Sequence, residues 1–305
     1  MAHTSDSLAG RALDFPVGRR LVPAASVRRQ HTFPPGTTTQ VAIGDQVQPD
    51  QTIAEVNNAG TISVIRAGFG GRVIDVALNQ RVVIEGTVTI IEGIVGIGGP
   101  SVGTLCMLPR GESLAMVPIP HGGIILFPQQ LPLVLMQRAV TGGAAGIIAA
   151  SVSAREIEAF SRLDLSASLD GFPLTAPVSQ LTIVISEGLG EAAMCAPVYQ
   201  ALTQRLGTTV YLCGETSTRQ AVRPEVLLTP AISSAVESVP VDSTLEAGAV
   251  VTVWAGGRRG MQAQVLQVLA RRQYSAAGLL VPSAILRFED GVTGIAPLHT
   301  LDRLS

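Results

Sequence analysis

The chain contains no lysine; all 21 of its basic residues are arginine. Arginine forms neither a Schiff base nor the amide of a swinging-arm carrier, and its guanidinium stays protonated at neutral pH. The absence therefore excludes biotin or lipoate carriage, imine catalysis and the phosphate-cradling lysine of P-loop enzymes. Cysteine is nearly as scarce. Cys106, Cys195 and Cys213 are an odd number without metal-ligand spacing, which reads as buried thiols in a reducing cytoplasm. The four histidines (His3, His31, His121 and His299) are scattered singly, so no metal and no cofactor is expected. Charged residues make up only 14% of the chain and the net charge is −2, which excludes a generally cationic nucleic-acid binder.

Long apolar runs are missing too, although mean hydropathy is +0.39. A membrane helix needs roughly 18 or more consecutive apolar residues. The most apolar stretch, residues 122–146, is broken by Pro128, Gln129, Gln130, Pro132, Gln137 and Arg138. The N-terminus, with His3, Ser5, Asp6 and Ser7, lacks the basic and apolar regions of a signal peptide. No membrane insertion is expected, and the expected location is cytoplasmic.

What the chain does have is apolar residues (47%), 32 glycines and 19 prolines over 305 residues. That is material for packed cores, many turns and short strands in two or three domains. The pattern divides into four parts. Residues 1–30 show no sustained periodicity and read as a flexible arm carrying the pairs Arg19-Arg20 and Arg28-Arg29. Residues 31–100 read as an all-β unit, with a hairpin tip at Asn57, Asn58, Ala59 and Gly60. Two half-motifs, "VAIGDQVQPDQTIA" and "RAGFGGRVIDVALNQRVVI", flank that tip. Residues 101–235 alternate apolar strands with helices: strands at 122–127, 145–150, 181–185 and 208–212, helices at 131–140, 153–162 and 197–206. Continuous apolar strands imply a mostly parallel sheet covered on both faces. Ser153 and Glu156 have the spacing of a capping box. Residues 240–305 return to short strands punctuated by glycine, as in a small SH3-like barrel.

Several segments carry a resemblance. The half-motifs around the hairpin resemble a barrel-sandwich hybrid, the fold of biotinyl and lipoyl domains, with Asn57 and Asn58 where those domains have their lysine. The ordered set "VRRQHTFPPG", "IIEGIVGIGG", "TGGAAGIIAAS", "VISEGLGEAAM" and "RPEVLLTP" resembles an uncharacterised bacterial family. Its members join a domain like that of the Rnf electron-transport complex's C subunit to an α/β domain. The C-terminal unit resembles a KOW module. The resemblances imply a multidomain architecture: a barrel-sandwich hybrid, an α/β domain, then an SH3-like barrel. They imply no activity and no ligand contact.

Ligands of open α/β sheets lie beyond the carboxyl ends of the strands. That rule selects two loops. One carries Ser186, Glu187, Gly188 and Gly190; the other carries Glu215, Arg219 and Arg223. Glycines there let backbone N–H groups approach an anion, with the arginines as counter-charge. In the C-terminal unit Arg258, Arg259, Arg271 and Arg272 are the basic clusters, with Trp254 and Tyr274 available for stacking. Six arginines against five acids from residue 240 onward release few counter-ions, which favours a protein partner over RNA. The leading expectation is a non-enzymatic binding or scaffold protein working through protein contacts. A small-anion-binding protein or enzyme using the two loops is the alternative, and a ribosome- or RNA-associated KOW protein is the third.

Overall fold

A computed structural model describes residues 13–14, 21–58, 61–109, 113–162, 181–216, 222–230, 244–253, 258, 261–275 and 278–304. It is mostly β, with three α-helices among the described residues. The strands of the first half are β1 (Leu13–Asp14), β2 (Leu21–Thr32), β3 (Thr37–Thr39), β4 (Gln46–Val47), β5 (Thr52–Asn58), β6 (Thr61–Arg66), β7 (Gly71–Ala77) and β8 (Arg81–Glu92). Next come β9 (Val95–Ile97), β10 (Pro100–Met107), β11 (Gly123–Leu131), α1 (Leu133–Thr141), β12 (Gly146–Val152), α2 (Ala154–Ser161) and β13 (Thr182–Leu189). The chain continues through α3 (Ala196–Thr203), β14 (Thr209–Cys213) and β15 (Glu225–Leu228). The C-terminal strands are β16 (Thr244–Leu245), β17 (Val250–Val253), β18 (Gln262–Val268), β19 (Gln273–Tyr274), β20 (Leu280–Val281), β21 (Ser283–Phe288), β22 (Thr293–Pro297) and β23 (Leu301–Leu304).

One sheet of eleven strands runs through the first two expected units, in the order β4-β7-β8-β15-β14-β10-β11-β12-β13-β9, with β2 also on β8. The boundary expected near residue 100 therefore falls inside a continuous sheet. The joint is β8. One edge pairs with β2 along its whole length; the other pairs first with β7 and then with β15. At the change of partner, glycine is required. A Cβ on Gly71 would sit 2.3 Å from the Glu85 carbonyl oxygen, and one on Gly86 would sit 2.3 Å from the Gly70 oxygen.

Only β10, β11, β12 and β13 are mutually parallel; β9, β14 and β15 run antiparallel to their neighbours. The parallel strands read as unbroken apolar runs because both faces are covered, and every residue of β12 is buried. On one face α1 and α2 supply Leu135, Met136, Ala139 and Ile157 to a core with Ile125, Ile147 and Ile183. The other face packs Val198, Ala201 and Leu202 of α3 against Leu105, Ile124 and Leu212. Each of these Leu, Ile, Val and Met side chains contributes about 1.5–3 kcal/mol on burial. Leu279 and Val281 of the C-terminal region join the α1/α2 core. Five of the C-terminal strands form an antiparallel sheet, β22-β21-β18-β17-β23, over their own core, while β19 pairs with β20.

Two expectations are corrected here. Residues 21–30, assigned to a flexible arm, form most of β2, and Leu13–Asp14 pairs with β16. Pro23 and the left-handed Ala24 sit at a bulge between Val22 and Ala25, which hides the strand's period in the sequence. The Ser153–Glu156 capping box does not form, although α2 starts where it should. Glu156 instead accepts the Leu133 N–H at the start of α1 (3.2 Å), so the carboxylate ties two neighbouring helices together. No helix among the described residues is long and apolar enough to cross a membrane.

Candidate ligand cleft

The two loops chosen from sequence leave opposite ends of the sheet. β13 runs parallel to β10, so residues 186–191 lie at the carboxyl end of the parallel strands, the first four of them still within β13. β14 runs antiparallel to β10, placing Cys213 opposite Pro100 at the amino end. The structure therefore does not bring Ser186, Glu187, Gly188 and Gly190 together with Glu215 and Arg223. Arg219 lies outside the described residues.

The 186–191 end is closed. Glu187 is 1% exposed and accepts the backbone N–H of Cys195, the N-cap of α3, at 3.0 Å. Ser186 is buried as well and donates to Glu187 (3.2 Å) and to the Ala149 carbonyl (3.4 Å). Gly188 and Gly190 adopt positive φ where the chain turns away from the sheet. These residues hold a helix start in place.

The other end opens on a cleft of about 1460 Å³ that includes Glu215 and Arg223. Its floor follows from register. Val102, Thr104 and Cys106 alternate onto one face of β10, and Tyr211, paired with Val102, shares that face with Cys213. Arg29, Gln30, His31 and Thr32 of β2 and Val64, Ile65 and Arg66 of β6 form one wall. Pro120, His121, Gly122 and Gly123, before and at the start of β11, form another, and Glu92, Glu215, Val222, Arg223 and Glu225 close the site. Gly214 holds Glu215 in position, because a Cβ there would lie 2.1 Å from the Ile97 carbonyl oxygen. Thr216 strengthens the same anchor by accepting the Gly96 N–H at 2.9 Å.

Charges in the cleft are matched. Arg29 donates through Nε and Nη2 to both carboxylate oxygens of Glu225, a bidentate pair that joins β2 to β15 across β8. That hydrogen bond raises the Arg29 pKa further, against the opposing effect of burial. His31 is 6% exposed, and burial brings its pKa down to about 4. Its ring stacks on Phe69 with centroids 6.3 Å apart and meets Tyr211 edge-on at 5.8 Å. Burial raises the pKa of the Tyr211 phenol and the Cys106 thiol, and pushes the Cys213 thiol up to about 11. The His31 imidazole, the Tyr211 phenol and the Cys106 and Cys213 thiols are thus held neutral at physiological pH. No group of three His, Cys, Asp or Glu residues close enough to hold a metal occurs among the described residues.

Sequence reasoning found Glu215 and Arg223 but missed Arg29, His31, Tyr211 and Cys213. The available signal was the i, i+2 spacing of Val27, Arg29 and His31, which puts them on one face of a strand once β2 is recognised. The C-terminal candidates do not reach the cleft. Arg258 pairs with Asp290 (2.8 Å) and lies 4.4 Å over the Phe288 ring. Arg271, Arg272 and Tyr274 are exposed around β19, and Trp254 and Arg259 lie outside the described residues. Comparison of the chain with protein-family models, curated proteins and solved structures gives no match.

Proposed function

We propose that the chain is a small-molecule-binding protein whose ligand occupies the cleft between the N-terminal β unit and the large sheet. The observation that carries this reading is the cleft itself. It is roomy, is formed by strands distant in sequence, and brings charged and polar groups from several of them together with apolar side chains around one concave space, as a ligand site requires. Binding is favoured over acid–base or nucleophilic catalysis by the state of the His31 imidazole and of the two cleft thiols. A general base works best with a pKa near the working pH and a thiol nucleophile needs a lowered one, whereas His31, Cys106 and Cys213 are all shifted the other way.

This reading takes up the ligand-binding alternative left open by the sequence and moves it to one loop. The barrel-sandwich resemblance fits it. In this view the β5–β6 hairpin, with Asn58 opposite Thr61, carries no modified side chain and serves as a cleft wall through β6. The C-terminal region, read as an SH3-like barrel, supports the large sheet through Leu279 and Val281 at β20.

Thr104 is exposed on the cleft floor, so Thr104→Trp fills the space without disturbing the core. Ligand-observed NMR with pooled polar metabolites is expected to give hits with the parent protein that disappear in the variant. Hits that survive Thr104→Trp unchanged, or no hits at all, would overturn the reading.

A further inference from the structure

The character of the cleft narrows the class of ligand, an inference that rests on the binding reading above. Arginines 29, 66 and 223 face glutamates 92, 215 and 225, so the formal charges in the lining cancel. Arg29, the β2 cation that lines the cleft, is already engaged by both oxygens of Glu225. A bare anion or cation would enter a site with no net opposite charge to replace its lost hydration.

One polar group on this wall still has capacity. The Nε2 of His31 is buried and has no hydrogen-bond partner among the described residues, while the side chain lines the cleft. A buried donor or acceptor left unmade is costly, and its retention within an aromatic cluster is hard to explain by packing alone. Phenylalanine would fill the same position beside Phe69 and Tyr211 without that cost. Val64, Ile65 and Val102 of the lining offer apolar surface for a planar or alkyl body.

We propose that the cleft takes an uncharged ligand with an apolar body and an amide or hydroxyl group, and that His31 Nε2 makes the hydrogen bond to that group. Nε2 is screened from solvent in the free protein, so binding includes a small movement of the ring or of the side chain that covers it. A neutral amide satisfies either imidazole tautomer, since it both donates and accepts.

Three probes of one shape test this: benzamide, benzoate and benzamidine, which are neutral, anionic and cationic. Each is titrated against the full chain while the His31 ring and the cleft backbone are followed by NMR. Benzamide is expected to shift the His31 signals and to bind about tenfold more tightly than either charged isostere, the scale of one hydrogen bond plus an avoided desolvation. His31→Phe is expected to weaken benzamide binding about tenfold and to leave the melting temperature unchanged or raised, a combination that a purely structural histidine would not give. Thr104→Trp serves as the second variant and should abolish the benzamide shifts. A charged isostere that binds as well as benzamide, or benzamide binding that ignores His31→Phe, overturns the inference while the cleft reading stands. If no probe shifts the cleft signals, this ligand class is wrong, and the metabolite screen decides the cleft reading separately.

Discussion

Glu187 near the end of β13 and Glu215 just after β14 sit at the ends of strands of similar apolar sequence, yet one is 1% exposed under a helix start and the other lies open on the cleft. The difference is strand direction. β13 belongs to the parallel set and β14 does not, so the loops after them emerge at opposite ends of the sheet. The rule that ligands sit at the carboxyl ends of strands depends on parallel order. Here the closed end has its polar groups consumed by the fold, and the open end has a polar group left over. A buried carboxylate beside a glycine turn is thus weak evidence of a site unless its acceptor capacity is unspent.

Experiments can break this comparison, and the largest effect should come from acid. His31 binds a proton near pH 6.5 in the unfolded chain but only at about 4 in the fold. The unfolded state is therefore protonated first on acidification. Stability is full above about pH 6.5 and declines as the pH falls towards 4, by about 3 kcal/mol in all. Chemical denaturation at a series of pH values should show this loss, and it should vanish in His31→Phe. A parent curve that stays flat over that range would mean that the ring titrates normally and is not buried as described.

Next in size is Glu187→Ala, which strips the Cys195 N–H of its acceptor inside the protein. It should cost about 2–3 kcal/mol, seen as a lower denaturation midpoint, without specific loss of ligand affinity. Glu225→Gln leaves Arg29 half-paired at the cleft wall and should cost about 1–2 kcal/mol. Because this pair joins β2 to β15, the variant should also speed amide exchange in β2 ahead of β12. Smallest of all, Glu215→Ala should change stability by no more than about 0.5 kcal/mol while altering binding in the cleft. If Glu215→Ala destabilises as much as Glu187→Ala, the contrast between the two ends is lost.

Much of the fold was legible because local and global signals agreed. The runs at 122–127, 145–150 and 181–185 became β11, β12 and β13 nearly in place, since strands covered on both faces must be apolar throughout. The start of α3 was legible from Pro197 in its first turn. β2 was not, because its bulge at Pro23 and Ala24 breaks the period and its solvent-facing side carries Arg28 and Gln30. The cleft was legible only at Glu215 and Arg223. Its floor needs β14 to run antiparallel to β10, and its far wall needs β8 to hold β2 and β15 on opposite edges. The pairings of β14 with β10 and of β15 with β8 join residues more than a hundred positions apart, and no local pattern of polarity encodes strand direction.

The most direct test of the central claim is a crystal structure of the chain soaked with benzamide. The ring is expected between β6 and the floor of β10 and β14, with its amide within hydrogen-bonding distance of His31 Nε2. Benzamide seated instead at the 186–191 end of the sheet, or an empty cleft beside an unmoved His31, would contradict it.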